Sequence, residues 1–284
     1  MELVVHGGAG GVPDDPKQRQ QVLDRAAAVG AETAEPLTAA VTTVRVLEAD
    51  PRFNAGVGSA VQSDGIIRTD AGVMTGAGTT GAACSMPGVE HAAGVAQVVA
   101  EETPHVLVSG QQAVDIAEAF DIPTGVDLWS PATGERWAEL PAPGDETREQ
   151  LEFVREQFGG IDTVGAVATD GDGIAAVTST GGRWCALAGR VGDVPQIGAG
   201  FYATEHAAAS TTGAGEAIAR FGLARRVVDA MENGDDPETA TDRTIRGFGA
   251  ETGAEAGVIA VDIDGRTGSA FNSDGMQTAA ASRY

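Results

Sequence analysis

Residues Gly159–Asp193 read GGIDTVGAVATDGDGIAAVTSTGGRWCALAGRVGD, and the rest of the chain is best read outward from them. Two runs of small and β-branched residues, Thr163–Thr169 and Ile174–Thr180, flank Asp170-Gly171-Asp172-Gly173, a good turn sequence. The stretch therefore predicts a hairpin, and small apolar residues on both faces predict that it is covered on both sides. Thr163 heads the first strand. A threonine hydroxyl is a poor nucleophile near neutrality, because almost none of it is ionised. One way to activate it is the residue's own α-amine, freed by a cut between Asp162 and Thr163. Such an amine has an ordinary pKa of about 7.7–8.0, so it accepts a proton at neutral pH without a histidine. Downstream, Thr180, Arg190 and Asp193 are candidate partners. Arg190 offers a planar fork for a carboxylate, and Asp193 the opposite charge for an ammonium.

Upstream of the cut, a helix is expected from Asp145 to Phe158, with Leu151, Val154 and Phe158 on one face. Before it, Ile122–Glu146 holds four prolines and three glycines with little periodicity, and reads as a mobile surface linker that Trp129 and Trp137 pin to the body. Near the N-terminus, Leu3–Val5 reads as a buried strand entering the glycine turn His6–Gly10, with His6 structural. Helices are expected over Pro16–Ala31 and from Pro36 to about Asp50, then a hairpin over Ala60–Met74 turning at Ser63-Asp64-Gly65. Gly76–Gly81 spells GxGxxG, but Pro87-Gly88 breaks the helix a dinucleotide site needs, leaving a glycine-rich strand region. Helices around Gly94–Glu102 and Gln111–Phe120 flank an expected buried strand, His105–Val108. Towards the C-terminus, helices are expected over Ala214–Met231 and Pro237–Gly249, then a closing hairpin of Val258–Ile263 and Gly268–Phe271.

The motifs DTVGAVA, TSTGG and GRVGD, then TTGAGEAIAR (Thr211–Arg220), resemble the β-subunit signature of the N-terminal-nucleophile hydrolases. Together with HGGAG (His6–Gly10), LEADPRFNAGVGS (Leu47–Ser59), TPHVLVSG (Thr103–Gly110) and FNSDGM (Phe271–Met276), they make nearly the whole chain similar to the plant-type asparaginase and isoaspartyl peptidase branch. The resemblance implies an α+β fold, a four-layer αββα sandwich formed by one domain over residues 1–284. It implies autocleavage into residues 1–162 and 163–284, and a homodimer of the resulting αβ units. Thr163 would be the nucleophile, Thr180 its orienting hydroxyl and Asn54 a positioning residue. Thr212 and Gly213 would stabilise the oxyanion, and Arg190, Asp193, Gly213 and Gly215 would bind the substrate. The carbonyls of Leu47, Glu48, Asp50, Phe53, Ala55 and Val57 would enclose a structural sodium ion, with a metal-free loop as the other reading; no cofactor is required. The implied substrates are L-asparagine and β-aspartyl dipeptides. Asp162 stands where many plant-type asparaginases have glycine, and where glycosylasparaginases and threonine aspartases have aspartate. Arg183–Gly189 also departs from the common wording. Those two activities, and a non-catalytic amino-acid-binding relative, therefore remain alternatives.

With 284 residues and 42% apolar content, the chain can bury a sizeable core. No run of 18 apolar residues and no basic, apolar leader occur, so a cytoplasmic protein is expected. Cys84 and Cys185 are expected as reduced, buried thiols. The net charge of −23 disfavours nucleic acid and anionic membrane as partners and leaves small-molecule substrates. Lys17 is the sole lysine, and an acidic, lysine-poor surface points to a salt-rich cytoplasm; a GC-rich genome would produce the same arginine bias. The Debye length falls from about 30 Å at 0.01 M salt to about 3 Å at 1 M. Melting temperature and activity should therefore rise from dilute buffer towards molar potassium chloride. A melting point that stays flat or falls across that titration, followed by circular dichroism, would rule out the halophilic reading.

Overall fold

The computed structural model describes every residue except 14, 145, 161 and 284. Strand β1 (Glu2–Gly10) runs into helices α1 (Pro16–Ala31) and α2 (Pro36–Glu48). Both helices open on a proline at the first turn, where its missing N–H costs nothing. Next come β2 (Arg68–Thr75), β3 (Thr80–Pro87), α3 (Ala92–Glu102), β4 (Leu107–Ser109) and α4 (Gln111–Ala119). Helices α5 (Pro131–Ala138) and α6 (Thr147–Gln157) lead to β5 (Val164–Thr169) and β6 (Ile174–Thr180). The chain ends with β7 (Phe201–Ala203), β8 (Ala207–Gly213), α7 (Gly215–Phe221), α8 (Leu223–Glu232), α9 (Pro237–Thr252), β9 (Ala256–Asp262), β10 (Thr267–Phe271) and β11 (Gly275–Ser282).

These strands form two sheets. The larger is ordered β11-β1-β5-β6-β2-β3-β4 and the smaller β10-β9-β8-β7. The predicted β5–β6 hairpin lies in the larger sheet, with Thr169 paired to Ile174 at its turn. Four sets of apolar side chains hold the elements together. One joins α1–α4 to the larger sheet through Leu23, Leu47, Phe53 and Val177. A second lies between the sheets, with Val4, Val167, Phe201 and Ile259. The third joins α7, α8 and α9 to the smaller sheet through Ile218, Leu223, Val227 and Phe248. The fourth packs α5 and α6 through Trp137, Phe153 and Trp184. The fold is thus mixed α+β, with β5, the strand that Thr163 precedes, in the larger sheet and the smaller sheet packed against it. No helix among the described residues is long and apolar enough to cross a membrane.

Several local expectations need correction. β2 is laddered to β3 and β6, not within Ala60–Met74, where only Val61 and Ile67 form a bridge. Arg68 clasps Asp64 and Gln62 there, so side chains close that turn. The segment His105–Val108 is not buried. β4 is the last strand of its sheet, and Val106 and Leu107 are 47% and 49% exposed. Ile122–Glu146 is not all linker, because Ser130 caps α5 through the Thr133 N–H at 3.1 Å. Trp129 and Trp137 pin it as expected. Trp137 meets Trp129, Phe153 and Trp184 edge-on at 6.2–6.3 Å. Asp145, the expected start of the following helix, lies outside the described residues. Ala214–Met231 is two helices, broken where Gly222 adopts a left-handed conformation with φ of 69°. β7, β8 and β11 have no counterpart in the sequence reading. Cys84 and Cys185 are free and buried, and burial pushes their thiols up to about 12 and about 11, which makes them poor nucleophiles.

Phe201 is fully buried between the sheets, and its ring lies where a side chain at Gly72 would stand. Phe201→Ala should cost about 3–5 kcal/mol through lost transfer energy and the cavity left behind. Urea unfolding in molar potassium chloride measures this, and an unchanged midpoint would contradict the packing described.

Candidate active site

The site is assembled where β5 begins. Thr163 is buried, and its hydroxyl donates to Thr180 Oγ1 at 3.4 Å. Thr180 ends β6, the neighbouring strand, so the hairpin itself brings the two threonines together. Thr180 Oγ1 in turn donates to the carbonyl of Asp162 at 3.2 Å and accepts the Gly182 N–H at 3.0 Å. Asn54 reaches the same place from the loop after α2. Its amide donates to the Asp162 carbonyl at 2.8 Å and to the Gly182 carbonyl at 2.6 Å, while its oxygen accepts the Ala60 N–H at 2.8 Å. The Asp162 carbonyl therefore has two donors on it, directly before the threonine hydroxyl.

The Asp162 side chain is held separately. Its Oδ1 accepts the Thr163 N–H at 3.2 Å, and its Oδ2 pairs with Arg19 at 3.0 Å. Loss of water raises this carboxyl to about 6, with Arg19 pulling the other way. Arg19 also donates to the Gly7 carbonyl and lies 4.7 Å from the Phe53 ring centre. Gly8, at φ of 110°, has no side chain because the Asp162 carboxylate fills that space. His6–Gly10 is thus not the expected turn but the end of β1, and at the irregularity between His6 and Ala9 its glycines make room for Arg19 and Asp162. His6 is structural. It is fully buried, contacts Ser210 Oγ at 3.1 Å through Nε2, and burial lowers it to about 3, so it stays neutral.

A second cluster gathers Arg190, Asp193 and Gly215. A Cβ on Gly215 would lie 2.5 Å from Asp193 Oδ1 and 2.8 Å from Arg190 Nη2. Glu216, next in the chain, takes Arg190 Nε at 2.9 Å and Arg183 Nη1 at 2.9 Å. Burial alone would raise Glu216, but the two arginines overcome it and hold this carboxyl below its usual range. Asp193 is raised to about 6 by burial, against the pull of Arg190. Asp193 Oδ2 is buried without a hydrogen-bond partner among the described residues, whereas Arg190 Nη2 is ion-paired with Glu216 Oε1 at 2.8 Å. Gly182 links the clusters, since a Cβ on it would stand 3.9 Å from Arg190 Nη1. Thr212 Oγ1 accepts the Ala9 N–H at 3.1 Å, which leaves its own proton free to be donated. Gly213 follows it at the end of β8.

Three residues near these clusters were missed. Arg19 sits on the buried face of α1 with Val22, Leu23, Ala26 and Ala27. An arginine at helical spacing among apolar residues was the available signal. Asp70 stands opposite Thr180 in the sheet, is buried, accepts the Ser85 N–H at 2.7 Å, and is raised to about 7 by burial. A charged residue within an apolar strand marked it. Glu216 was visible within TGAGE, but nothing local assigned it to Arg190.

A buried threonine hydroxyl beside a carbonyl with two donors, near a cluster of arginines and carboxylates, is an arrangement suited to a hydrolase. Comparison with known proteins supplies the family: a model described as Asparaginase matches residues 1–284, and the chain belongs to the asparaginase family. It is 38% identical to the plant-type L-asparaginase of Pyrococcus furiosus, over 98% of this chain and 95% of that one. The plant-type L-asparaginase of Thermococcus kodakarensis is 37% identical with the same coverage. The isoaspartyl peptidase/L-asparaginase of Danio rerio is 35% identical, over 98% of this chain and 91% of that one.

If Asp193 must be ionised to hold a cation, kcat/KM should fall as pH drops through about 6, where the free carboxyl takes up its proton. Asp193→Asn should lose most activity and this acid limb together. A wild-type profile flat down to pH values well below that point would remove Asp193 from the site.

Proposed function

We propose that the chain cleaves itself between Asp162 and Thr163, and that the product hydrolyses L-asparagine and β-aspartyl dipeptides to release L-aspartate. The observation that carries the substrate reading is that Arg190, paired with Glu216, and Asp193, whose buried Oδ2 has no hydrogen-bond partner among the described residues, meet at Gly215. Leaving the Asp193 oxygen unpaired is costly, so it calls for a ligand ammonium, and the guanidinium beside it suits a carboxylate on the same ligand. An amino-acid head group does so.

For cleavage, Thr163 Oγ1 attacks the Asp162 carbonyl carbon. The hydroxyl proton passes to Thr180 Oγ1, which gives its own proton to the Asp162 carbonyl oxygen as charge develops there. Asn54 stabilises that oxygen throughout. The C–N bond then breaks. The Asp162 carboxyl, raised to about 6 and beside the Thr163 nitrogen, is placed to protonate the departing amine. Breaking that bond frees the α-amine, and water then hydrolyses the resulting ester, releasing the Thr163 hydroxyl and the Asp162 main-chain carboxylate. In substrate hydrolysis that amine takes the hydroxyl proton of Thr163, the side-chain carbonyl of the substrate is attacked, and Thr212 and Gly213 donate to its oxygen. An acyl ester forms, the amine leaves with the proton, and water completes the turnover.

The layering of helices and sheets supports the four-layer αββα reading, one domain cut into residues 1–162 and 163–284. Family resemblance supports a homodimer of αβ units, and composition a cytoplasmic, salt-adapted enzyme. A structural sodium fits the loop after α2. Gly56, at φ of 59°, turns the chain so that the Glu48 and Glu90 carbonyls face the space a Cβ would fill. The carbonyls of Leu47, Glu48 and Asp50 each accept one backbone N–H, which leaves each a second lone pair for a cation. Phe53, Ala55 and Val57 would supply the others. The glycosylasparaginase alternative draws on Asp162. Its contacts with Arg19 and the space at Gly8 account for an aspartate there through chain cleavage alone.

Purified wild-type protein should run as two fragments and release ammonia from L-asparagine, whereas Thr163→Ala should stay whole and inactive. Full activity in a chain that never divides would overturn the mechanism. Turnover of glycosylasparagine but not asparagine would favour the alternative.

A further inference from the structure

A cavity of about 350 Å³ borders Asp162, the residue before Thr163, on the Asn54 side, and neither Arg190 nor Asp193 lines it. Asn54, Asp162 and Gly182 form its floor, so it opens directly beside the carbonyl that Thr163 attacks. Gly182 is also the residue next to Arg190. A substrate with its head group at Arg190 and Asp193, and its reacting carbonyl at Thr163, has this space next to the bond that breaks. Ammonia, the leaving group of asparagine, has no need of it. A β-aspartyl dipeptide releases a whole amino acid, with an apolar or polar side chain and an anionic α-carboxylate.

The walls suit that leaving group. Phe53 and Trp184 supply apolar surface, and two arginines reach the cavity. Arg52 is already engaged, by both oxygens of Asp50 at 3.0 and 2.7 Å and by Gln18 at 2.9 Å. Arg136 is different. It has no acidic partner among the described residues, and its guanidinium lies 4.1 Å from the Trp184 ring centre. Stacking on a buried indole holds the guanidinium plane while leaving its N–H edge available. In a chain of net charge −23, an anion entering the site meets general repulsion, which one uncommitted arginine at the cavity opposes locally.

We propose that this cavity is the leaving-group subsite for β-aspartyl dipeptides, with Arg136 binding the α-carboxylate of the departing amino acid. The proposal rests on the dipeptidase reading above. It also gives the segment between Ile122 and Glu146 a function, since α5 carries Arg136 to the site.

The test compares L-asparagine, β-aspartyl-leucine and β-aspartyl-leucine amide on mature wild type, Arg136→Gln and Arg136→Lys. Wild type should prefer the free acid to the amide by on the order of tenfold, the scale of one charge-assisted contact. Arg136→Gln should abolish that preference and lower the ratio of kcat/KM for the dipeptide to that for asparagine by a similar factor. Arg136→Lys, which keeps the charge, should retain part of both. If wild type hydrolyses asparagine but no β-aspartyl dipeptide, the dipeptidase reading fails and this proposal with it. If wild type cleaves the dipeptide yet treats acid and amide alike, the proposal alone is overturned. An Arg136→Gln defect confined to chain cleavage, with an unchanged acid-to-amide preference, also overturns it and assigns the arginine to the Asp162 terminus instead.

Discussion

The carbonyl of Asp162, held between the Asn54 amide and the Thr180 hydroxyl, is the contact on which the rest of the site depends. It ties together three distant parts of the chain: the loop after α2, the end of β6 and the residue before β5. Its two donors sit where negative charge appears when a carbonyl is attacked, in surroundings where water competes little. The carbonyl is polarised before any reaction begins.

Burial gives this geometry its chemical effect. Asp70, Asp162 and Asp193 are all pushed above the ordinary carboxylate range by loss of water, despite nearby arginines. The outer surface carries a large excess of negative charge, yet the site is rich in arginine: Arg19, Arg183 and Arg190 each meet a carboxylate there. The chain thus separates two electrostatic problems. Outer carboxylates repel one another through water and respond to salt. The inner ones are governed by desolvation and by fixed partners, which added salt screens far less.

Much of this was legible in the sequence, and the failures have physical causes. α1 was read to the residue because apolar periodicity and Pro16 agree, and β5–β6 because a strong turn separates two β-rich runs. β8 was missed because AAASTTG has little hydrophobicity; buried on both faces beside close neighbours, it needs only small side chains. β11, with MQTAAAS, is an edge strand whose pairing with β1 is set by tertiary contact. α5 was taken as linker because Pro131 and Gly134 were read as breakers, although a proline after a serine cap opens a helix. The site residues came from motif resemblance. Their meeting could not have come from spacing, since Gly215 reaches Arg190 and Asp193 only through the fold.

The most direct test follows chain cleavage in Asn54→Ala by intact mass over time, in high salt, beside wild type. With one of two donors to the Asp162 carbonyl gone, the cut should still fall between Asp162 and Thr163, but slower by on the order of 10²–10³-fold. Cleavage at the wild-type rate would show that the Asn54 contact does not carry the reaction, and would contradict the account.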